Sequence, residues 1–198
     1  MQMDILQLGL LGTNCYVLWE DGTCVLIDPG AGEEQLLRRL KELDVRLEAI
    51  VLTHGHFDHV GAVKALRDAT GCRVFLPDAD TALPPSYTDG PIAYTDLYKD
   101  GDVLRFGPIM LEAMRTPGHT PGSSCLKTGN WLFTGDTLFR GSCGRTDFPG
   151  GDWVQMYDSL RRLGKLEGDF YVYPGHGDAS TLDHERRTNP YLREAMAR

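Results

Sequence analysis

Residues 51–62, VLTHGHFDHVGA, place three histidines and an aspartate within six positions, directly after an apolar run: His54, His56, Asp58 and His59. The chain has six histidines in all, so half of them sit here. Neighbouring imidazoles repel when charged and compete for donors when buried. Metal ions remove that conflict by binding neutral imidazoles and ionised carboxylates. The fold must therefore carry this segment to a place that cations can reach. Residues two apart share a strand face but not a helix face. His54, His56 and Asp58 thus point one way only from extended or looping backbone, with His59 turned elsewhere as the next helix begins. This spacing offers two histidines to one ion, and Asp58 with His59 to a second. It differs from the helical HExxH pairing of proteases.

The rest of the chain reads as short β-rich runs alternating with helical patterns. CYVLWE and TCVLIDPG flank Asp21-Gly22, a hairpin signal. EEQLLRRLKEL, VGAVKALRDATG and DWVQMYDSLRRL have apolar residues at helical spacing, and TLDHERRTNPYLREAMAR reads as a closing helix broken by Pro190. LEAIVLT, CRVFLP, SSCLKTG, NWLFTGD and FYVYPG read as strands, and VLRFGPIMLEAMRTPG as strand, turn and strand. Two blocks of strands followed by helices, each ending in a Gly- and His-rich loop, imply two packed sheets with helices outside. The expected architecture is α/β, in a single domain over residues 1–198.

Three further polar residues sit where strands end. His119 lies in TPGHTPGS, Asp136 in LFTGDTLF and His176 in YPGHGD. Each is set among Gly or Pro turns, which display a side chain on a rigid loop. A lone histidine in such a place is commonly just hydrogen-bonded, and Asp136 alone reads as a turn former. The cluster at 54–59 changes that weighing, because five of the six histidines then belong to one pattern.

The formal net charge of -8 and the absence of a basic patch argue against a nucleic-acid partner. No run reaches the roughly 18 apolar residues of a membrane span. The start, MQMDILQLGLLGTNCYV, is interrupted by Asp4 and reads as a strand and a loop, not a signal peptide. Five cysteines without a CxxC pair suit reduced thiols and a cytoplasmic location.

The HxHxDH pattern at His54, His56, Asp58 and His59, followed in order by His119, Asp136 and His176, resembles the metallo-β-lactamase superfamily over nearly the whole chain. The resemblance implies a four-layer αββα sandwich with metals at one edge of the two sheets. It implies that His54, His56 and His119 hold one ion, that Asp58, His59 and His176 hold a second, and that Asp136 bridges them. The implied cofactors are two divalent ions, zinc foremost, with iron or manganese as alternatives. Asp58 is also the implied catalytic residue, orienting the nucleophile and accepting a proton.

Within the superfamily, GDTLFRGSCGRTDFPGGD and ERRTNPYL are similar to the glyoxalase II (hydroxyacylglutathione hydrolase) group and its short bacterial relatives. CGRTDF also resembles persulfide dioxygenases. The implied function is hydrolysis of a small acyl thioester, a small-molecule substrate. A mononuclear iron dioxygenase using His54, His119 and Asp136 is the alternative, followed by lactone or β-lactam hydrolysis. A nuclease ranks last, given the acidity. Full glyoxalase II carries a helical extension with cations for glutathione, whereas only residues 177–198 follow His176 here, so the resemblance leaves open whether glutathione is the thiol carrier. A non-catalytic metal module is disfavoured, because seven ligands for two ions leave open coordination positions.

Arg145 and Asp147 are candidate substrate-binding residues, with a buried, loop-shaping ion pair as the equal alternative. Cys143 reads as a packed residue and not a nucleophile, and His184 as a solvated one. Tyr87 and Tyr94, near PPSYTDGPIAY, read as surface-loop residues in preference to the substrate mouth.

Overall fold

The computed structural model describes residues 1–197. The first sheet runs in chain order: β1 (Gln2–Leu8), β2 (Thr13–Glu20), β3 (Thr23–Ile27), β4 (Arg46–Val51), β5 (Arg73–Pro77) and β6 (Asp96–Tyr98). β1 to β3 are antiparallel neighbours, and β3 to β6 are parallel ones. Asp21 and Gly22 join β2 to β3 with φ of 48° and 74°, as a two-residue hairpin turn requires. The parallel strands need crossovers, which α1 (Glu33–Glu42), α2 (Phe57–Val60) and α3 (Val63–Thr70) supply. A 3-10 turn (Asp78–Ala82) and the short α4 (Pro85–Thr88) lead into β6.

The second sheet contains β7 (Val103–Phe106), β8 (Ile109–Arg115), β9 (Ser124–Thr128) and β10 (Trp131–Gly135). A ribbon of β11 (Leu138–Phe139) and β12 (Ser142–Cys143) follows, then α5 (Trp153–Gly164), β13 (Tyr171–Pro174), β14 (Ser180–Thr181), α6 (Leu182–Thr188) and α7 (Pro190–Ala197). The strand order is β14-β13-β10-β9-β8-β7, with β10 and β13 parallel. Pro190 opens α7 at its first position, where the missing N–H costs nothing, and Asn189 Oδ1 accepts from Tyr191 N and Leu192 N.

Strand alternation builds four layers. Tyr16 and Leu18 of β2, Val25 and Ile27 of β3, and Ile109, Leu111 and Ala113 of β8 face one another between the sheets. The intervening Cys15, Val17, Cys24 and Leu26 turn outward onto Leu36 and Leu40 of α1 and Leu66 of α3. Across the molecule, Met114, Leu132 and Val172 turn onto Met156, Leu160 and Leu163 of α5 and Leu192 of α7. The αββα sandwich expected from the sequence is the observed architecture.

β4 ends at Val51, β8 at Arg115, β10 at Gly135 and β13 at Pro174. The loops that follow carry His54, His119, Asp136 and His176, so four strand ends deliver donors to one edge of the sandwich. No helix among the described residues is long and apolar enough to cross a membrane. All five cysteines are free thiols.

Candidate metal centre

All seven sequence-derived donors meet at that edge. His54, His56 and His119 have ligand atoms within 4.8 Å of one another, and so do Asp58, His59 and His176. Asp136 lies between the two triads. Its Oδ1 is 3.4 Å from His59 Nε2, and its Oδ2 is 3.4 Å from His119 Nε2 and 3.6 Å from His176 Nε2. A third group of donors, His54, His59 and Asp136, links them.

One local expectation needs correcting. His56 is extended (φ -69°, ψ 148°) but caps α2, which starts at Phe57. Asp58 therefore sits on the first helical turn with His59, not on looping backbone, and the helical pattern divides into α2 and α3. The turn brings the consecutive side chains to the same ion position, with His59 Nε2 3.7 Å from Asp58 Oδ2.

Hydrogen bonds behind the rings fix which nitrogen faces the centre. His119 Nδ1 lies 2.7 Å from the Arg145 carbonyl, and His176 Nδ1 lies 3.3 Å from that of Leu11. A carbonyl only accepts, so each Nδ1 carries the proton and each Nε2 presents its lone pair inward. His59 Nδ1 faces Asp28 Oδ2 at 3.0 Å, with the same result. Thr53 Oγ1 donates to Asp28 Oδ2 at 2.6 Å, which leaves its oxygen to accept from His54 Nδ1 at 3.2 Å. His56 is reversed: its Nδ1 points inward, 2.9 Å from His119 Nε2.

These donors fit metal ions. His54 Nε2, His59 Nε2 and Asp136 Oδ1 are buried without a hydrogen-bond partner, and such orphans are costly unless a cation takes them. Burial, followed by neighbouring imidazoles, pushes the His54 pKa well down and that of His56 down to about 4. For Asp58 and Asp136 burial acts upward, but the surrounding histidines outweigh it and hold both carboxyls below their ordinary value. For His59 burial acts downward, but Asp136 and Asp28 outweigh it and raise its pKa, and the bond to Asp58 raises that of His176, so these two rings give up a proton when an ion takes their lone pairs.

His176 approaches because of glycine. A Cβ on Gly175 would lie 2.2 Å from Asp136 Oδ1, so no other residue fits, and Gly177 takes φ 76° on the far side. Asn14 Nδ2 donates to the Pro174 and Gly177 carbonyls at 3.0 and 2.9 Å, clamping this loop.

A cavity of about 540 Å³ opens over the donors. Asp58 lines it, with Thr13 Oγ1 donating to its Oδ2 at 3.1 Å. Arg145 lines it too, but Asp147 does not. The two form a bidentate ion pair of 2.6 and 2.7 Å. That pair is 58% and 67% exposed, so the buried-pair alternative is not what the loop adopts. Tyr87 lines the cavity from α4, against the surface-loop expectation, whereas Tyr94 lies by a different depression. Cys143 also borders the cavity, and burial raises its thiol to about 11, which leaves it protonated and a poor nucleophile. His184 is half-buried beside a separate depression.

Sequence reasoning passed over Thr13, Asn14, Asp28 and Asp80. Asp28 follows β3 in IDPG, the same strand-end, Gly/Pro setting that singled out Asp136, so a signal was present. Asp80 accepts from Gly55 N and Thr120 Oγ1, both at 2.9 Å, and from Gly122 N at 2.6 Å. It ties the His54–His56 loop to the His119 loop, and nothing in its local sequence marks it.

Two donor triads bridged by a carboxylate, at the sheet edge of an αββα sandwich and beneath an open cavity, define a metal-dependent enzyme. The chain belongs to the metallo-β-lactamase superfamily, whose family model matches residues 8–176. It is 33% identical to hydroxyacylglutathione hydrolase GloC of Haemophilus influenzae, over 97% of this chain and 98% of that protein. BLEG-1 B3 metallo-beta-lactamase is 36% identical with a TM-score of 0.86, covering 96% of this chain and 99% of that one. TTHA1623 in a di-iron-bound form is 37% identical with a TM-score of 0.85, covering 95% and 99%. ETHE1 from Myxococcus xanthus is 33% identical with a TM-score of 0.85, covering 99% and 88%.

Proposed function

We propose that this protein is a dinuclear metal-dependent hydrolase of small acyl thioesters. The observation that carries the reading is the second triad. Asp58, His59 and His176 are as complete a donor set as His54, His56 and His119, and both open on the same cavity. When bound there, two divalent ions supply a water whose pKa falls from 15.7 toward about 7, together with polarisation of an acyl oxygen. Zinc is the ion we assign to these imidazole and carboxylate donors. Iron suits imidazole as well, and TTHA1623 has a di-iron-bound form.

The chain's own groups then do three things. The Leu11, Asp28, Thr53 and Arg145 acceptors hold four ring lone pairs on the centre. Asp58, steadied by Thr13, faces the cavity and takes the proton of the attacking water. The cavity wall positions the acyl group. A thioester suits this arrangement because its thiolate departs without needing a proton. The likeness to hydroxyacylglutathione hydrolase GloC supports the same class.

A mononuclear iron dioxygenase at His54, His119 and Asp136 is the second reading, supported by the CGRTDF segment. Thiol release from S-lactoylglutathione and from lactoyl N-acetylcysteamine, followed with and without oxygen, tests the choice. Equal rates in air and under argon are expected for at least one ester. Oxygen uptake with a persulfide and no thiol release from either ester would overturn the proposal.

A further inference from the structure

We infer that the substrate carries a flat apolar group and that Tyr87 and Phe148 select it; this inference rests on the thioester reading. Tyr87 comes from α4 of the first half of the chain, and Phe148 from the loop before α5. Their ring centroids are 5.5 Å apart at 59°, forming one wall of the cavity. The wall stands beside the first triad. Phe148 is 5.6 Å from the His56 ring and 6.2 Å from that of His119, and Tyr87 is 6.1 Å from His56. Both rings are half-buried, so part of each faces the cavity.

Charge on the same wall argues against an anionic carrier. Arg145 is the one Lys or Arg lining the cavity among the described residues. Its guanidinium is taken by Asp147 through Nε and Nη2, and it stacks 4.0 Å over the Phe148 ring. The pair is neutral, and it braces Phe148 from one side. Arg140 and Arg187 line a separate depression with His184, and Arg140 pairs with Asp178. A thiol carrying two carboxylates therefore meets an aromatic wall and one arginine whose Nε and Nη2 are already paired with Asp147. An aryl ring meets surface it can stack on, in edge-to-face or offset geometry. The ring can belong to the acyl group or to the thiol.

A panel of four thioesters separates these cases: phenylacetyl N-acetylcysteamine, acetyl benzyl mercaptan, acetyl N-acetylcysteamine and S-lactoylglutathione. With metal-loaded protein, one of the two aryl esters is expected to exceed both others in kcat/KM by at least about tenfold, a ratio that one well-placed apolar contact supplies. The position of the favoured ring identifies its source. Phe148→Ala and Tyr87→Ala should bring that ratio toward unity, whereas Phe148→Tyr, which keeps a flat ring, should retain it. Melting curves and metal content establish that each variant is folded and loaded. Should Phe148→Ala fail to fold, Phe148→Leu keeps the bulk without the flat face and should lose the ratio. Preference for S-lactoylglutathione, or an aryl preference unchanged in both alanine variants, would overturn the inference and leave the thioesterase intact. Turnover of none of the four would overturn the thioesterase reading, and the inference with it.

Discussion

His59 Nδ1 lies 3.0 Å from Asp28 Oδ2, and the same Asp28 oxygen receives Thr53 Oγ1, which in turn faces His54 Nδ1. One carboxylate thus aims a ring from each triad. Asp28 is 1% exposed and held at φ 51°, a left-handed conformation that Asp and Asn tolerate best. Thr53 N donates to its other oxygen at 2.7 Å. Asp28→Ala should weaken metal binding about 10–100-fold, as loss of such outer partners does. Asp28→Asn, which suits the backbone and keeps one acceptor, should lose less. Competitive metal titration measures both. Unchanged affinity in the alanine variant would mean that the rings are aimed by packing alone.

Asp136 faces His59, His119 and His176 at once, and Arg145 faces solvent with Asp147. Asp136→Ala should therefore cost orders of magnitude in turnover, and Arg145→Ala far less. Steady-state kinetics on the two variants decide it. Similar, mild losses would show that the two ion positions are not joined at Asp136.

The ERRTNPYL segment has a mechanical role that its sequence did not reveal. Asn189 Nδ2 donates to the Phe139 and Ser142 carbonyls at 3.1 and 2.9 Å, and buried Glu185 accepts from Gly141 N at 2.8 Å. Together they pin the β11–β12 ribbon, whose Phe139, Ser142 and Cys143 border the cavity. Asn189→Ala leaves two part-buried carbonyls without their donor, at a cost of about 1–3 kcal/mol. For a chain of this size that lowers Tm by roughly 2–12 °C. A KM increase should accompany it, because the ribbon is a cavity wall. A melting temperature equal to wild type would contradict the staple.

Metal removal should act on stability as well as on activity. An ion present at about 100 times its Kd adds about 2.7 kcal/mol to the folded state, which corresponds to roughly 5–10 °C in Tm. Calorimetry with and without chelator is the check. Identical curves would show that the empty donors are not strained.

Legibility followed the reach of each interaction. The seven donors were readable because each follows an apolar strand and sits among Gly or Pro, and because the 54–59 cluster makes little sense without cations. The hairpin at Asp21-Gly22 and the helices were readable from local periodicity. The start of α2 at Phe57 was not, because a four-residue helix has too few positions to show a period. β6 is three residues long and was missed for the same reason. Asp80, Asn14 and Asn189 act on backbone groups up to 163 positions away, which no local pattern encodes. Tyr87 looked like a loop residue because Pro84 and Pro85 suggest a turn, yet they open α4 and turn its ring to the cavity.

The central claim is a two-ion site, and metal content per chain tests it most directly. Protein purified from its own host, counted by elemental analysis alongside quantitative amino-acid analysis, should hold about two divalent ions per chain. His176→Ala should hold fewer, since it removes a donor from the second triad. A single iron per chain, unchanged in His176→Ala, would contradict the account.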